Sequence, residues 1–115
     1  MTQDCVFCKI VAGDIPAKIV YQDEQVTAFH DINAQAPVHV LIVPNRHIES
    51  LAQTQPGDQA LLGHVMATAS LVAERTGIAA GGYRTVFNVG RDAGMAVYHL
   101  HLHVLGGRKL AWPPG

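Results

Sequence analysis

Charge is scarce in this chain and nearly cancels. Asp, Glu, Lys and Arg make up 15% of 115 residues and leave a formal net charge of −1. No basic stripe is present to release counterions from a polyanion, which argues against a surface that tracks nucleic acid. Long hydrophobic runs are also missing, so a membrane span is not expected. The first residues, Met1-Thr2-Gln3-Asp4, lack the basic-then-apolar order of a secretory signal, which makes the cytoplasm the expected location. Neither repeats nor low-complexity linkers interrupt the chain, and its length suits one domain over residues 1–115. Cysteine is limited to Cys5 and Cys8, in the run Cys5-Val6-Phe7-Cys8. In a reducing compartment that spacing points to metal or redox chemistry rather than a structural disulfide. A thioredoxin-like role is disfavoured, because no β-α-β unit precedes the pair.

What the chain does have is apolar patterning in short stretches. Asp4 is placed to cap a helix running to about Ala12, stopped by Gly13 and then Pro16. Residues 18–22 and 25–30 read as a hairpin around Asp23-Glu24, and residues 38–43 as an apolar strand ended by Pro44. After a loop over residues 45–55, Pro56-Gly57-Asp58 opens one long helix that ends near Thr76-Gly77. On a helical wheel Leu61, Leu62, Val65, Met66, Ala69, Val72 and Ala73 share an arc of about 140°, the expected sheet-facing side. Leu71, Ala60 and Ala67 fall outside it and suggest a subunit contact. Residues 83–89 and 97–105 are the last two strands. Helix, strands, long helix, strands is the order of an α+β domain with a mostly antiparallel sheet.

The densest chemical signal is His99-Leu100-His101-Leu102-His103. In an extended strand the three imidazoles share one face, while Tyr98, Leu100, Leu102 and Val104 turn to the other, into a core. Each imidazole needs hydrogen-bond partners and titrates near neutral pH, so three together suit a metal site or a histidine-based reaction centre. An unprotonated imidazole attacks phosphorus without a metal, and a protonated neighbour stabilises the charge that develops. A catalytic metal at the triad is disfavoured, because no carboxylate pattern lies beside it. Upstream, the glycine-bearing run from Asn88 to Ala96 can turn backbone N–H groups toward an anion, although most such loops are simply turns. Asp31 sits where turn carboxylates commonly do. Cys5 and Cys8 can share one metal, and tetrahedral zinc would need two further ligands. The tail Leu110-Ala111-Trp112-Pro113-Pro114-Gly115 carries the only tryptophan.

The histidine run occurs together with Ile15-Pro16-Ala17, Ala28-Phe29-His30-Asp31-Ile32, Gln35-Ala36-Pro37-Val38-His39, Pro44 through His47-Ile48, Gly106-Gly107-Arg108 and Trp112-Pro113-Pro114-Gly115. In this combination the chain resembles the histidine-triad (HIT) superfamily, and within it the Hint branch of nucleoside phosphoramidases. The resemblance implies an antiparallel five-stranded sheet with one long and one short helix, the sheet being extended across a homodimer. It implies hydrolysis of the P–N bond of purine nucleoside 5′-phosphoramidates through a nucleotidyl-histidine at His101. His103 and His39 would contact the phosphate region and hold His101 in its reactive tautomer. Asn88, Gly94 and Ala96 would grip the phosphate, Asp31 the ribose hydroxyls, and Phe29, His30 and Ile32 would form a slot for the base. Trp112 would reach the partner's active site. Zinc-bearing relatives pair Cys-x-x-Cys with two histidines, matched here by Cys5, Cys8, His47 and His99, which implies a structural zinc and no organic cofactor. One departure stands out. Met95-Ala96 occupies positions where the branch commonly has Gln followed by Ser, Thr or Glu, so no hydroxyl is available to assist a leaving group. Two alternatives remain open: a dinucleoside polyphosphate hydrolase, and a nucleotide-binding interaction protein with little turnover.

Overall fold

The computed structural model describes residues 4–115. Its regular elements are α1 (Val6–Ala12), β1 (Ile19–Gln22), β2 (Val26–His30), β3 (Val38–Pro44), α2 (Gln59–Thr76), β4 (Tyr83–Phe87) and β5 (Leu102–Gly106). The five strands form one antiparallel sheet in the order β1-β2-β3-β5-β4. Every residue of β3 except Val38 is buried, because this central strand is covered on both faces. On one face Val40, Ile42, Leu102 and Val104 pack against Val65, Ala69, Val72 and Ala73 of α2. On the other, Leu41, Val43 and Phe29 meet Phe7 of α1. Each fully buried aliphatic side chain contributes about 1.5–3 kcal/mol relative to an exposed one. Close approach is needed at Gly106, where a Cβ would sit 2.7 Å from Ile78 Cδ1, beyond the end of α2.

The structure corrects several local expectations. The residue that caps α1 is Cys5 rather than Asp4, its Sγ accepting from the Cys8 N–H at 3.3 Å. Pro56–Asp58 form a separate 3-10 turn, and regular helix begins at Gln59. The Asp58 carboxylate there is held by the Gln55 N–H and by Arg46. Met66 lies in the solvent at 57% exposure, and Thr68 takes a buried place. Its hydroxyl donates to the His64 carbonyl at 2.7 Å, so a polar side chain enters the interface already satisfied.

The most consequential correction concerns the strand expected over residues 97–105. The ladder begins only at Leu102, paired with Ile42, and Tyr98 is exposed instead of facing a core. The partner strand explains why. Pro44 ends β3 and has no N–H to continue the ladder. Its carbonyl is occupied by the ring of His99, Nε2 to oxygen 2.8 Å. The Leu100 N–H turns instead to the Ile48 carbonyl at 2.7 Å. Among the described residues no helix is long and apolar enough to cross a membrane.

Candidate active site

His39 enters from β3, His103 from β5, and His101 from the irregular segment just before β5. All three rings lie on the face of the sheet that carries α1. Burial is the main influence on each and lowers its pKa from the ordinary 6.5. For His103, burial and then the neighbouring His101 and His39 bring it down to about 4. Near neutral pH each ring is therefore uncharged, with one N–H and one lone pair, and its partners decide which nitrogen is which.

Hydrogen-bond partners fix the ring protons one after another. The Gln35 backbone N–H donates to His39 Nδ1 at 3.0 Å, so His39 carries its proton on Nε2. That proton is donated to His103 Nδ1 at 2.9 Å. The remaining proton of His103 is then on Nε2, which lies 3.4 Å from Asn88 Nδ2. Two donors face each other there, so donation from His103 to Asn88 requires the amide turned end for end, with its oxygen toward the ring. His101 is set independently: its Nδ1–H donates to the His99 carbonyl at 2.7 Å, leaving the lone pair on Nε2. Two adjacent imidazoles, with centroids 4.9 Å apart, thus present opposite faces, a ring lone pair at His101 and an N–H at His103.

Both rings line a cleft of about 450 Å³, within the ~300–1,000 Å³ typical of small-molecule sites. Its wall brings together Phe29, His30, Asp31, Ile32, Asn88, Gly94 and Ala96, all of which the sequence singled out. Phe29 is almost fully buried against Phe7, whereas Ile32 is completely exposed at the rim, an apolar side chain with no covering partner among the described residues. Asp31 Oδ1 accepts from the Asn33 N–H at 2.9 Å, and its Oδ2 lies 3.5 Å from His39 Nε2. The expectation that no carboxylate approaches the triad is therefore corrected: donor atoms of Asp31, His39 and His103 fall within 4.8 Å of one another. Pairing of β2 with β3 produces this proximity, which linear spacing does not reveal.

Trp112 is not brought to this cleft. It is 79% exposed, under the Arg84 guanidinium at 5.8 Å, while the same guanidinium donates to the Ala111 carbonyl at 2.9 Å. The tail instead helps to line a second cleft of about 430 Å³, shared with His39, Asn88, His103, Arg84 and Arg108. Residues the sequence did not single out also contribute. Gln35 acts through its backbone, which has no side-chain signature to read. Phe7, between the two cysteines, sets its ring edge-on to His101 with centroids 5.1 Å apart.

A second cluster lies beside the first. Cys5, Cys8, His47 and His99 bring Sγ and ring nitrogens within 4.8 Å of one another. Individual separations are 3.2 Å for Cys5 Sγ to His99 Nδ1, 3.4 Å for Cys8 Sγ to His47 Nδ1, and 3.2 Å between the two Nδ1 atoms. A tetrahedral zinc with the usual Zn–S and Zn–N bonds has edges of roughly 3.3–3.8 Å, so this donor set is compatible with that ion. His99 Nε2–H is committed to the Pro44 carbonyl, which leaves Nδ1 as a lone pair facing the other three donors. Burial, then the hydrogen bond and charge of Cys5, push the Cys8 thiol up to about 11, an opposition that a divalent cation would relieve.

A family profile described as HIT domain matches residues 12–110. An uncharacterized HIT-like protein of Synechococcus elongatus is 50% identical over the full length of both chains. Among solved structures, a HIT family hydrolase from Legionella pneumophila superposes with a TM-score of 0.94 at 46% identity, covering 97% of this chain and 100% of that one. A histidine triad protein from Clostridium difficile gives 0.91 at 41% identity, with 94% of each chain covered.

Proposed function

The chain belongs to the HIT-domain family, and from that premise we propose that it is a nucleoside phosphoramidase of the Hint type. In this reading it cleaves the P–N bond of purine nucleoside 5′-phosphoramidates. The observation that carries the proposal is the pairing of His101, its Nε2 lone pair freed by the His99 carbonyl, with the His39–His103 relay over a nucleotide-sized cleft. The hydrolase among the solved relatives supports enzymatic turnover over a purely binding role.

In the proposed reaction Asp31 accepts the ribose hydroxyls, and Ile32 and His30 border the base. Asn88 and the backbone at Gly94 and Ala96 hold the phosphate, and His103 Nε2–H donates to a non-bridging oxygen. His101 Nε2 then forms a bond to the α-phosphorus as the P–N bond breaks and the nitrogen departs as an amine. With no hydroxyl at Ala96, that nitrogen takes its proton from water in the cleft. The resulting nucleotidyl-imidazolium keeps Nδ1–H on the His99 carbonyl, which stabilises its charge. Water next attacks phosphorus, loses a proton to solvent, and releases the nucleoside monophosphate and neutral His101. Cys5, Cys8, His47 and His99 would hold a structural zinc, which supplies cross-linking of α1 to the segment before β5 when bound. No organic cofactor is needed. We place the dimer contact along the outer edge of β4 and the exposed Leu71 face of α2.

A second reading has one observation in its favour. The cleft shared by His103 and Asn88 is lined by Arg84 and Arg108, which suits an anionic leaving group such as the second nucleotide of a dinucleoside polyphosphate. Adenosine 5′-phosphoramidate, a dinucleoside polyphosphate and a nucleotidyl sugar, assayed side by side, separate the two. Fastest turnover of the phosphoramidate, with a nucleotidyl adduct trapped on His101, supports the first; a preference for the polyphosphate overturns it.

A further inference from the structure

We propose that the Cys5–Cys8–His47–His99 cluster is a positioning device for the nucleophile, with His99 as the connecting residue. The inference rests on the reading of His101 as the nucleophile. His99 belongs to both centres at once: its ring nitrogen Nδ1 faces Cys5, Cys8 and His47, while its main-chain carbonyl receives the Nδ1 proton of His101.

That carbonyl lies outside the sheet, because the ladder starts only at Leu102. Interstrand bonds therefore do not set its direction. What holds the peptide is the fully buried His99 ring, tied to the Pro44 carbonyl and to the cluster, together with the Leu100 N–H bond to Ile48. Phe7 links the centres a second time, edge-on to His99 at 5.9 Å and to His101 at 5.1 Å between centroids. If the carbonyl turns away, His101 loses its preference for Nδ1–H, and a proton on Nε2 blocks attack. When the cluster takes up a divalent cation that favours thiolates, any protons on its two thiols are released. The start of α1, the loop at His47 and the peptide at His99 then become mutually tethered. None of the four donors lines the nucleotide cleft, although Val6 and Phe7 between the cysteines do, so occupancy is expected to act chiefly on kcat and to change substrate binding far less. A surface depression lined by Cys5 and His47 gives an ion or chelator access.

The test compares full-length protein stripped by chelation with the same protein reloaded with zinc, or with cobalt(II), whose visible bands report tetrahedral thiolate coordination. Three quantities are read: metal per chain, the tautomer of His101 from its ring 15N shifts, and kcat and KM for adenosine 5′-phosphoramidate. The stripped protein should show mixed His101 tautomers and lose roughly 10–100-fold in kcat, with KM within about twofold, and reloading should restore both. His47→Ala should mimic stripping, and His47→Cys, which keeps four donors, should rescue metal, tautomer and kcat. A folded, metal-free protein with His101 still fixed as Nδ1–H and kcat unchanged overturns the proposal. So does wholesale unfolding of both stripped protein and His47→Ala, which would make the cluster a stability element alone. If the tautomer follows the metal while no phosphoramidate is turned over, the coupling stands and the proposed substrate is wrong.

Discussion

His39 and His103 are joined across neighbouring strands, Nε2 to Nδ1 at 2.9 Å, although neither is the other's partner in the β3–β5 register. His39 pairs with Leu105 and His103 with Leu41, so the contact is a diagonal on one sheet face. Its direction is dictated by the Gln35 N–H behind His39. Replacing His39 with Ala should free His103 Nδ1 to take the proton and remove the donor aimed at the phosphate. A loss of about 10–100-fold in kcat is expected, with binding of nucleoside monophosphate little changed. Steady-state kinetics with a parallel binding titration check this, and an unaltered kcat would break the relay.

His101 carries the larger stake. Substituting Ala should lower turnover by several orders of magnitude, about what loss of a covalent route costs. Affinity for the monophosphate product should survive, since Asp31, Asn88 and the loop before His99 are untouched. Mass spectrometry of a quenched reaction should find the nucleotidyl adduct in the parent protein and none in His101→Ala. Retention of most activity by the variant would exclude this mechanism.

Much of this was legible in the residues, and the gaps have physical causes. Alternation of apolar and histidine side chains located the triad because a strand exposes every second residue, which holds from Leu102 onward. Glycine at positions 13 and 77 marked both helix ends because each adopts a left-handed backbone. Alternation from residue 97 points to a strand that forms only from Leu102, because the obstacle is on another strand, at Pro44. Hydropathy alone points Met66 inward, because it ignores the bond that lets Thr68 take a buried place. Asp31 beside His39 was invisible for a similar reason, since their proximity depends on strand pairing. Backbone donors such as Gln35 leave no trace in side-chain identity at all.

Acid should weaken the fold through the same pair. Burial, followed by the charges on His101 and His39, holds His103 at about 4, and burial, partly opposed by Asp31, lowers His39 from 6.5. Below pH 6.5 the unfolded chain binds protons at these positions before the folded chain does. Unfolding is therefore favoured increasingly as pH falls, and stability present above 6.5 is lost progressively down to about 4. Thermal melts across this interval should show Tm falling with pH, less steeply in His103→Gln. A flat or rising Tm toward acid would contradict the burial of these rings.

Asp23 should matter to stability and not to chemistry. One oxygen accepts from the Gln25 and Val26 N–H groups at 2.8 and 2.9 Å, closing the β1–β2 turn. The other accepts from Tyr21 and His64, both at 2.7 Å, which ties that turn to α2. Removing it in Asp23→Ala strands several donors and should cost roughly 2 kcal/mol, about 10 °C in Tm for a domain of this size. Asp23 lies outside the nucleotide cleft, so KM at 25 °C should remain that of the parent. A melt unchanged within about 2 °C would show the turn to be held by its other contacts.

The tail should act on leaving groups, and only through a partner subunit. Within one chain Trp112 is held against Arg84 at the outer edge of the sheet, away from the cleft lined by its own His101 and His103. That edge is the side of β4 left unpaired among the described residues, and a two-fold contact there would bring the tail of each subunit toward the other. An exposed indole in that position can pack on an aminoacyl or aromatic leaving group. Light scattering at micromolar concentration should therefore report a dimer. Deleting residues 111–115 should change the ranking among phosphoramidates with different amines while leaving the simplest one nearly unaffected. Ala96→Ser, which restores a hydroxyl at the cleft wall, should accelerate the substrates with the poorest leaving groups most. A monomer in solution, or relative rates unmoved by both changes, would place leaving-group selection elsewhere, with the Arg84 and Arg108 cleft the next surface to test.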